Sequence, residues 1–468
     1  MPRIRFLLIP VLLTLVPFVG TYVFPQAQRR RRLITGGLLF ALIFSLLATG
    51  LQGSFHFISL GWLQISLLGT PMGGLMGVFF AFLLALTAIF SFEVQDGDEL
   101  RFSRGFLLLA AGVQLGTCVG SLPLFLLAWL LAALSADDLI LHQRGTKGRH
   151  AAAVPVRFRP ATLGFFALLA AGALLAGLAG VPLTFLPHET PAAGVLLPAA
   201  LLLAGLIGHA FYCLSTAVQG PAAVALWVLL AGLDLFGVLQ VVYRLFGIPA
   251  LLHTVFETVL PVVFLVCAVA AAWLSLRQQE LLRRLRQLAI SQVCLVLFGL
   301  LSLQKQIFMG GCLLLLVSMV STAALLLCAF TFSYTESRTQ VQQLEGIGRQ
   351  LALPLFCFGC ASFVMVGLPP FAGSLALWNL AEGALAASPW GLVVAVPLIA
   401  VSAAVAAALL PLVRRGFFPG RDFEPDTRAS FGFGVGFPLF IVTAALLLAG
   451  IFPQTLLRWV QIAADLFG

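Results

Sequence analysis

The sequence predicts an all-α, polytopic membrane protein, and three features carry that prediction. Of 468 residues, 61% are hydrophobic and only 9% charged, where soluble domains carry about 25% charged residues. Apolar runs of about 20 residues, the length that crosses a hydrocarbon core, recur from one end of the chain to the other. The stretches between them are too short to hold a separate soluble core. The formal net charge is +9, but the basic residues sit in these short connections, so the charge does not point to nucleic acid.

In chain order, spans are read at 5–24, 33–51, 67–92, 105–120, 121–141, 161–185, 195–217, 221–246, 253–276, 287–303, 308–333, 350–385, 391–413 and 431–453, about fourteen helices. Pro10, Pro17, Pro25 and the basic run that follows suit a first membrane helix better than a signal peptide. The split between Gly120 and Pro123 and the hinge at Gln219-Gly220-Pro221 are the weakest boundaries. With this count the odd-numbered connections share one side and hold 21 of the 26 lysines and arginines. They are Arg29 to Arg32; Arg101 and Arg104; Arg144, Lys147, Arg149, Arg157 and Arg159; Arg277, Arg283, Arg284 and Arg286; Arg338 and Arg349; and Arg414, Arg415, Arg421 and Arg428. Arg3, Arg5, Arg244, Lys305 and Arg458 fall elsewhere. The positive-inside rule then puts the odd connections in the cytoplasm and both termini on the far side. Trp62, Trp390 and Trp459 sit near span ends, where indole favours the interface.

The twelfth span is broken. Between the apolar runs Leu351 to Val366 and Ser374 to Leu385 lie Gly367, Leu368, Pro369, Pro370 and Gly373, which remove backbone donors and loosen the helix. A break inside a bilayer survives only where protein or a water-filled cavity receives the freed backbone groups, which makes it an ion-path candidate; the other reading is a packing kink or tight re-entrant turn. Ionisable side chains within spans are few, and such groups mark ion paths or buried hydrogen-bond partners. His209, Asp234 and Glu382 are the proton-path candidates, each also readable as a structural polar contact. His253 and Glu257, one turn apart at the start of the ninth span, read as interfacial. The eight cysteines all lie in apolar runs; Cys357-Phe-Gly-Cys360 has redox spacing without a second pair or histidine nearby, so these thiols read as small buried hydrophobes. No metal-ligand spacing, nucleophile–base pair or phosphate loop is recognised, and neither a metal nor a cofactor is expected.

The break resembles one family, the antiporter-like, proton-conducting membrane subunits of respiratory complex I, Mrp-type sodium/proton antiporters and membrane-bound hydrogenases. The family's G-L-P-P-x-x-G-F-x-x-K is similar to Gly367-Leu-Pro-Pro-Phe-Ala-Gly373. Gly346-Ile-Gly-Arg349 with Pro354 resembles its G-L-x-R…P lead-in. Leu276 to Arg283 followed by Ala289-Ile-Ser291-Gln292, Pro221-Ala-Ala-Val224 through Gly237-Val238, and Gly450-Ile-Phe-Pro453-Gln454 resemble three further motifs. The matches run in consistent order from about residue 70 to 455. The resemblance implies two inverted five-helix repeats, each with a broken helix. The expected division is an N-terminal three-helix segment (1–104), a first repeat (105–246), a second repeat (253–385, broken at 367–373) and C-terminal helices (391–468). It also implies a bacterial inner-membrane location and other membrane subunits as partners.

The departures fall on the family's channel positions. Its glutamate in W-E-L-x-x-L-S falls on Leu130, its seventh-helix lysine on His209 and its eighth-helix lysine on Leu235, beside Asp234. The H-x-x-x-K pair falls on Ser318 and Thr322, and the lysine after the last break on Leu377. Leucine neither titrates nor holds a water, and a charge unpaired in such a gap costs several kcal/mol on the order-of-magnitude scale for buried ions. The expectation is therefore a subunit of a proton- or sodium-translocating, redox-linked complex whose own channel is degenerate and whose role is largely structural. The alternatives are the membrane partner of a two-component inorganic-carbon uptake system and a stand-alone cation/proton antiporter; neighbouring genes discriminate the three. Any enzymatic activity, of an NADH:quinone oxidoreductase or hydrogenase kind, would belong to the assembly.

Overall fold

The computed structural model describes residues 6–24, 26–60, 63–94, 99–143, 158–186, 194–216, 218, 220–336, 339–387, 391–418 and 431–464. Trp62, Trp390, Gln219, Arg3, Arg5, Arg144, Lys147, Arg149, Arg157, Arg338, Arg421 and Arg428 lie outside them. The chain is a multi-pass helical membrane protein. Twelve helices among the described residues are long and apolar enough to span a bilayer, two fewer than the spans read from the sequence. The difference has two causes. The helix at Glu99–Thr117 opens on Glu99, Arg101 and Arg104, which lower its hydropathy, and the broken span yields helices of only 15 and 16 residues.

Two compact units divide the chain: Met1–Ala88 with Gln95–Leu252, and Ile89–Val94 with His253–Gly468. In the first, α1 (Ile9–Val23) packs on α2 (Ala27–Ala48) and on α4 (Glu99–Thr117), which packs on α5 (Leu122–Gln143). Then α6 (Phe158–Leu178) pairs with α7 (Leu196–Ser215), and α7 with α8 (Pro221–Phe246). Every residue of α8 in its apolar window is buried. Its hydrogen-bond ladder widens into π-helical turns at Ala225–Leu230 and Val241–Phe246, a rare geometry that concentrates at functional sites. Gly220 (φ 70°) and Gly247 (φ 74°) bound this helix.

The all-helical expectation missed one element. An antiparallel hairpin, β1 (Gly53–Leu60) and β2 (Leu63–Gly69), lies between α2 and α3 (Pro71–Val94), with a bulge between His56 and Ile58. Its second strand is extended by helix ends: the Leu68 N–H donates to the Cys118 carbonyl (2.9 Å) and the Gly120 N–H to the Ser66 carbonyl (2.7 Å). The Leu122 N–H donates to Leu183 and the Phe185 N–H to Gly120, each at 2.9 Å. This small strip satisfies the backbone of the linker that divides α4 from α5, the boundary the sequence left weakest.

In the second unit, α10 (Val255–Ser275), α11 (Leu281–Leu301) and the 32-residue α12 (Lys305–Glu336) pack in succession; the short helix Ile248–Leu251 is α9. The broken span becomes α13 (Ala352–Val366) and α14 (Ala372–Ala387), followed by α15 (Gly391–Phe417), α16 (Phe433–Ile451) and α17 (Pro453–Ala463). The break closes on itself. Gly367 adopts the left-handed conformation (φ 82°), its N–H donating to the Phe363 and Val364 carbonyls, and the Leu368 N–H also donates to Phe363. This is a glycine C-cap that satisfies the last carbonyls of α13. The Phe371 N–H donates to Leu368, and both the N–H and the hydroxyl of Ser374 donate to Phe371. Leu368, Pro369 and Pro370 are exposed, and the Pro369–Pro370 peptide is cis. These hydrogen bonds make the break a capped turn between α13 and α14.

A side chain at Gly373 would collide with the Val364 carbonyl oxygen, whereas one at Gly36 would meet nothing within 4 Å. Gly373→Ala should therefore cost about 1–3 kcal/mol, the range for overpacking a close approach, and Gly36→Ala nothing measurable. Thermal unfolding of the detergent-purified protein checks this; equal stability of the two variants would overturn the assignment of Gly373 to a backbone crossing.

Candidate functional site

The first unit holds a buried polar cluster built from α5, α7 and α8. His209 on α7 and Asp234 on α8 are both fully buried, and the imidazole Nδ1 lies 2.8 Å from Asp234 Oδ2. The other carboxylate oxygen, Oδ1, accepts the indole N–H of Trp129 on α5 at 2.6 Å. Trp129 also meets the imidazole edge-on, with ring centroids 4.6 Å apart, and Phe165 of α6 does so at 5.7 Å. One turn beyond His209 on the same helix face, Cys213 Sγ approaches the ring nitrogens at 3.8 and 3.7 Å. The carboxylate is thus held on both oxygens in a dry setting, where an unmatched one would be costly.

A second buried carboxylate lies close by. Asp137, two turns after Trp129 on α5, is fully buried. It accepts the Thr162 hydroxyl on Oδ1 at 3.2 Å, while Oδ2 has no hydrogen-bond partner among the described residues. It lies within electrostatic reach of His209. Its neighbour Asp138 faces outward and pairs with Arg159 (3.4 Å) and Arg101 (3.7 Å). Asp137 and Asp138 thus set a fully buried carboxylate beside a half-buried, arginine-paired one on α5.

The structure brings two of the three sequence candidates together and leaves the third outside the cluster. Glu382 is exposed on α14, at a cleft it shares with Lys305 and Gln461. His253 and Glu257 form a helix start: the Glu257 carboxylate accepts the His253 backbone N–H at 2.6 Å, and Thr254 caps α10. Cys213, Asp137 and the role of Trp129 escaped the sequence reading. The reading also found no metal-ligand spacing, yet His209-x-x-x-Cys213 places two ligand types on one helix face. With Asp234 they offer nitrogen, sulfur and oxygen atoms within 4.8 Å of one another.

The residues that the resemblance set against the family's channel groups are buried or half-buried. Leu235 is buried beside Asp234, Leu130 is half-buried, and Leu377 lies over Gly367 in the break. Thr322 is buried, and the Ser318 hydroxyl donates back to the Leu315 carbonyl at 3.2 Å.

Comparison with known proteins defines the class. Residues 120–402 match the family described as NADH:quinone oxidoreductase/Mrp antiporter, transmembrane. The chain belongs to that family of antiporter-like membrane proteins. It is 26% identical over 329 residues to NAD(P)H-quinone oxidoreductase chain 4 2 of Microcystis aeruginosa, covering 68% of this chain and 58% of that one. It is 26% identical over 156 residues to NADH-quinone oxidoreductase subunit N of Desulforudis audaxviator, covering 33% and 30%. The chain thus spans less than two thirds of the length of these curated relatives. Its fold is similar to a chain of an archaeal membrane-bound sulfane sulfur reductase (TM-score 0.82, 18% identity, 99% and 96% coverage). It is similar also to chains of the Mrp complex of a Dietzia species (0.79, 18%, 98% and 97%) and of respiratory complex I from Thermus thermophilus (0.78, 20%, 99% and 99%).

The pairing makes a sharp energetic prediction. Asp234→Leu or His209→Leu alone strands a buried polar partner and should cost about 3–5 kcal/mol. The double variant should cost less than the sum of the two singles, because neither ionisable group is then stranded. Additive losses in thermal unfolding would show that the two side chains do not depend on each other.

Proposed function

We propose that this chain is an antiporter-like subunit of a larger ion-translocating membrane complex of the complex I, Mrp or sulfane-sulfur-reductase kind, with its own transmembrane path interrupted and its role largely structural. Other membrane subunits are its partners, and the setting is a bacterial inner membrane with both termini on the non-cytoplasmic side. The units 105–246 and 253–385 serve as the two inverted repeats. Redox chemistry resides in other subunits.

The observation that carries the interruption is the contrast between the two units. Among the described residues from 253 onward, the only buried charged side chain is Arg284. Its guanidinium is occupied by backbone, donating to the carbonyls of Gln278 (2.7 Å), Ala408 (3.1 Å) and Leu276 (3.5 Å). The interior positions where a relay would stand carry Ser318, Thr322 and Leu377. Among the described residues of the second unit no carboxylate, histidine or lysine is buried to receive a proton, and a hydrated proton in an apolar gap carries the cost of an unpaired buried charge.

The purified complex, reconstituted into vesicles, tests the reading. His209→Gln and Asp234→Asn retain hydrogen bonding and should leave proton uptake per turnover unchanged in fully assembled complex. Loss of uptake with assembly intact, judged by co-purification of the partner subunits, would sink the interrupted-path reading.

A further inference from the structure

We propose that His209, Cys213 and Asp234 form a buried site for a single divalent zinc-type ion, held by one imidazole nitrogen, one thiolate and one carboxylate oxygen. The site is independent of whether the subunit conducts.

Three features point to a metal rather than a plain polar contact. The first is donor geometry. Zinc takes ligands at about 2.0–2.1 Å for nitrogen and oxygen and about 2.3 Å for sulfur in a tetrahedral array, which sets nitrogen–oxygen and nitrogen–sulfur separations near 3.3 and 3.6 Å. The His209 Nδ1 to Cys213 Sγ distance is 3.8 Å, and the Nδ1 to Asp234 Oδ2 distance is 2.8 Å. Because Sγ is nearly equidistant from both ring nitrogens, binding requires both an opening of the Nδ1–Oδ2 separation and a turn of Cys213 about χ1 that brings Sγ toward the Nδ1 lone pair. The second is the thiol itself. Two other buried thiols donate to backbone carbonyls, Cys118 to Gln114 and Leu115 and Cys357 to Leu439. Cys213 instead sits within 3.8 Å of both ring nitrogens.

The third is the outer shell. Metal-bound carboxylates are oriented by a further hydrogen bond, and the Trp129 indole already supplies it to Asp234 Oδ1 at 2.6 Å. Charge also balances: one thiolate, one carboxylate and a neutral imidazole sum to zero with a divalent cation, so the assembly adds no net charge to an interior that penalises it. Mixed nitrogen, sulfur and oxygen donors favour zinc over the oxygen-seeking magnesium or calcium. With three protein ligands the fourth position is left for a water.

The test uses the full chain purified from membranes in detergent and equilibrated with zinc alone, then freed of loose metal. Elemental analysis should find about one zinc per chain in wild type, as for a specific structural or catalytic site, falling at least ~10-fold in Cys213→Ser and unaffected in Cys118→Ser. Cobalt in place of zinc should give a thiolate-to-metal charge-transfer band that Cys213→Ser abolishes. Because a ligand variant can misfold, the wild-type spectrum stands by itself: folded wild type that takes up no zinc, or cobalt-loaded wild type without the thiolate band, overturns the proposal. Zinc retained equally by Cys213→Ser would place the metal elsewhere and overturn it as well.

Discussion

The buried cluster of the first unit is arranged around one constraint: a carboxylate on a helix that exposes no face. Asp234 lies midway along α8, whose apolar window is wholly buried, and an isolated carboxylate in such a place would be far too costly to keep ionised. Three helices answer that demand. The imidazole of His209 takes one oxygen, the indole of Trp129 takes the other, and the aromatic rings of Trp129 and Phe165 close the pocket around the imidazole. The positions of α5, α7 and α8 are therefore coupled through one residue. The π-helical turns on either side of Asp234 adjust the phase of α8 and so help set which side chains share the face that Asp234 presents.

The same logic separates the two units. In the second, close helix packing is achieved with leucine, alanine, glycine and cysteine, and the one buried cation among its described residues, Arg284, donates to backbone carbonyls. In the broken span the Gly367, Leu368, Phe371 and Ser374 N–H groups find carbonyl partners within the turn, and Leu377 lies over Gly367.

How much of this could be read from the sequence follows from the range of the forces involved. Hydropathy and span length are local, and each span read from the sequence overlaps a helix, although residues 67–69 belong to β2, 179–185 lie past the end of α6 and the break divides 350–385. His209 and Asp234 were individually legible because a charge in an apolar run is conspicuous. Their pairing was not, since it joins different helices 25 positions apart. Trp129 read as another apolar residue because its donor matters only once Asp234 faces it, and Asp137 was masked by Asp138, the two together resembling an ordinary charged helix end. Cys213 had a local signal, the i, i+4 spacing to His209, that was lost among seven other buried or apolar-run cysteines. The hairpin at 53–69 was missed because Phe55 to Leu60 is short and half apolar, and strand pairing is decided by a partner rather than by the segment itself.

The energetics of buried pairs explain why these residues occur together. Removing one member of a buried ion pair leaves the other stranded, at several kcal/mol, whereas replacing both with packed apolar side chains is often close to neutral. Positions such as Leu130, Leu235 and Leu377 are therefore stable precursors of nothing ionic: each packs without obligation to a partner. His209, Asp234 and Trp129 are bound by the opposite rule, because changing any one exposes the needs of the other two. That asymmetry concentrates whatever ionic or metal chemistry the subunit has in the single place where α5, α7 and α8 meet.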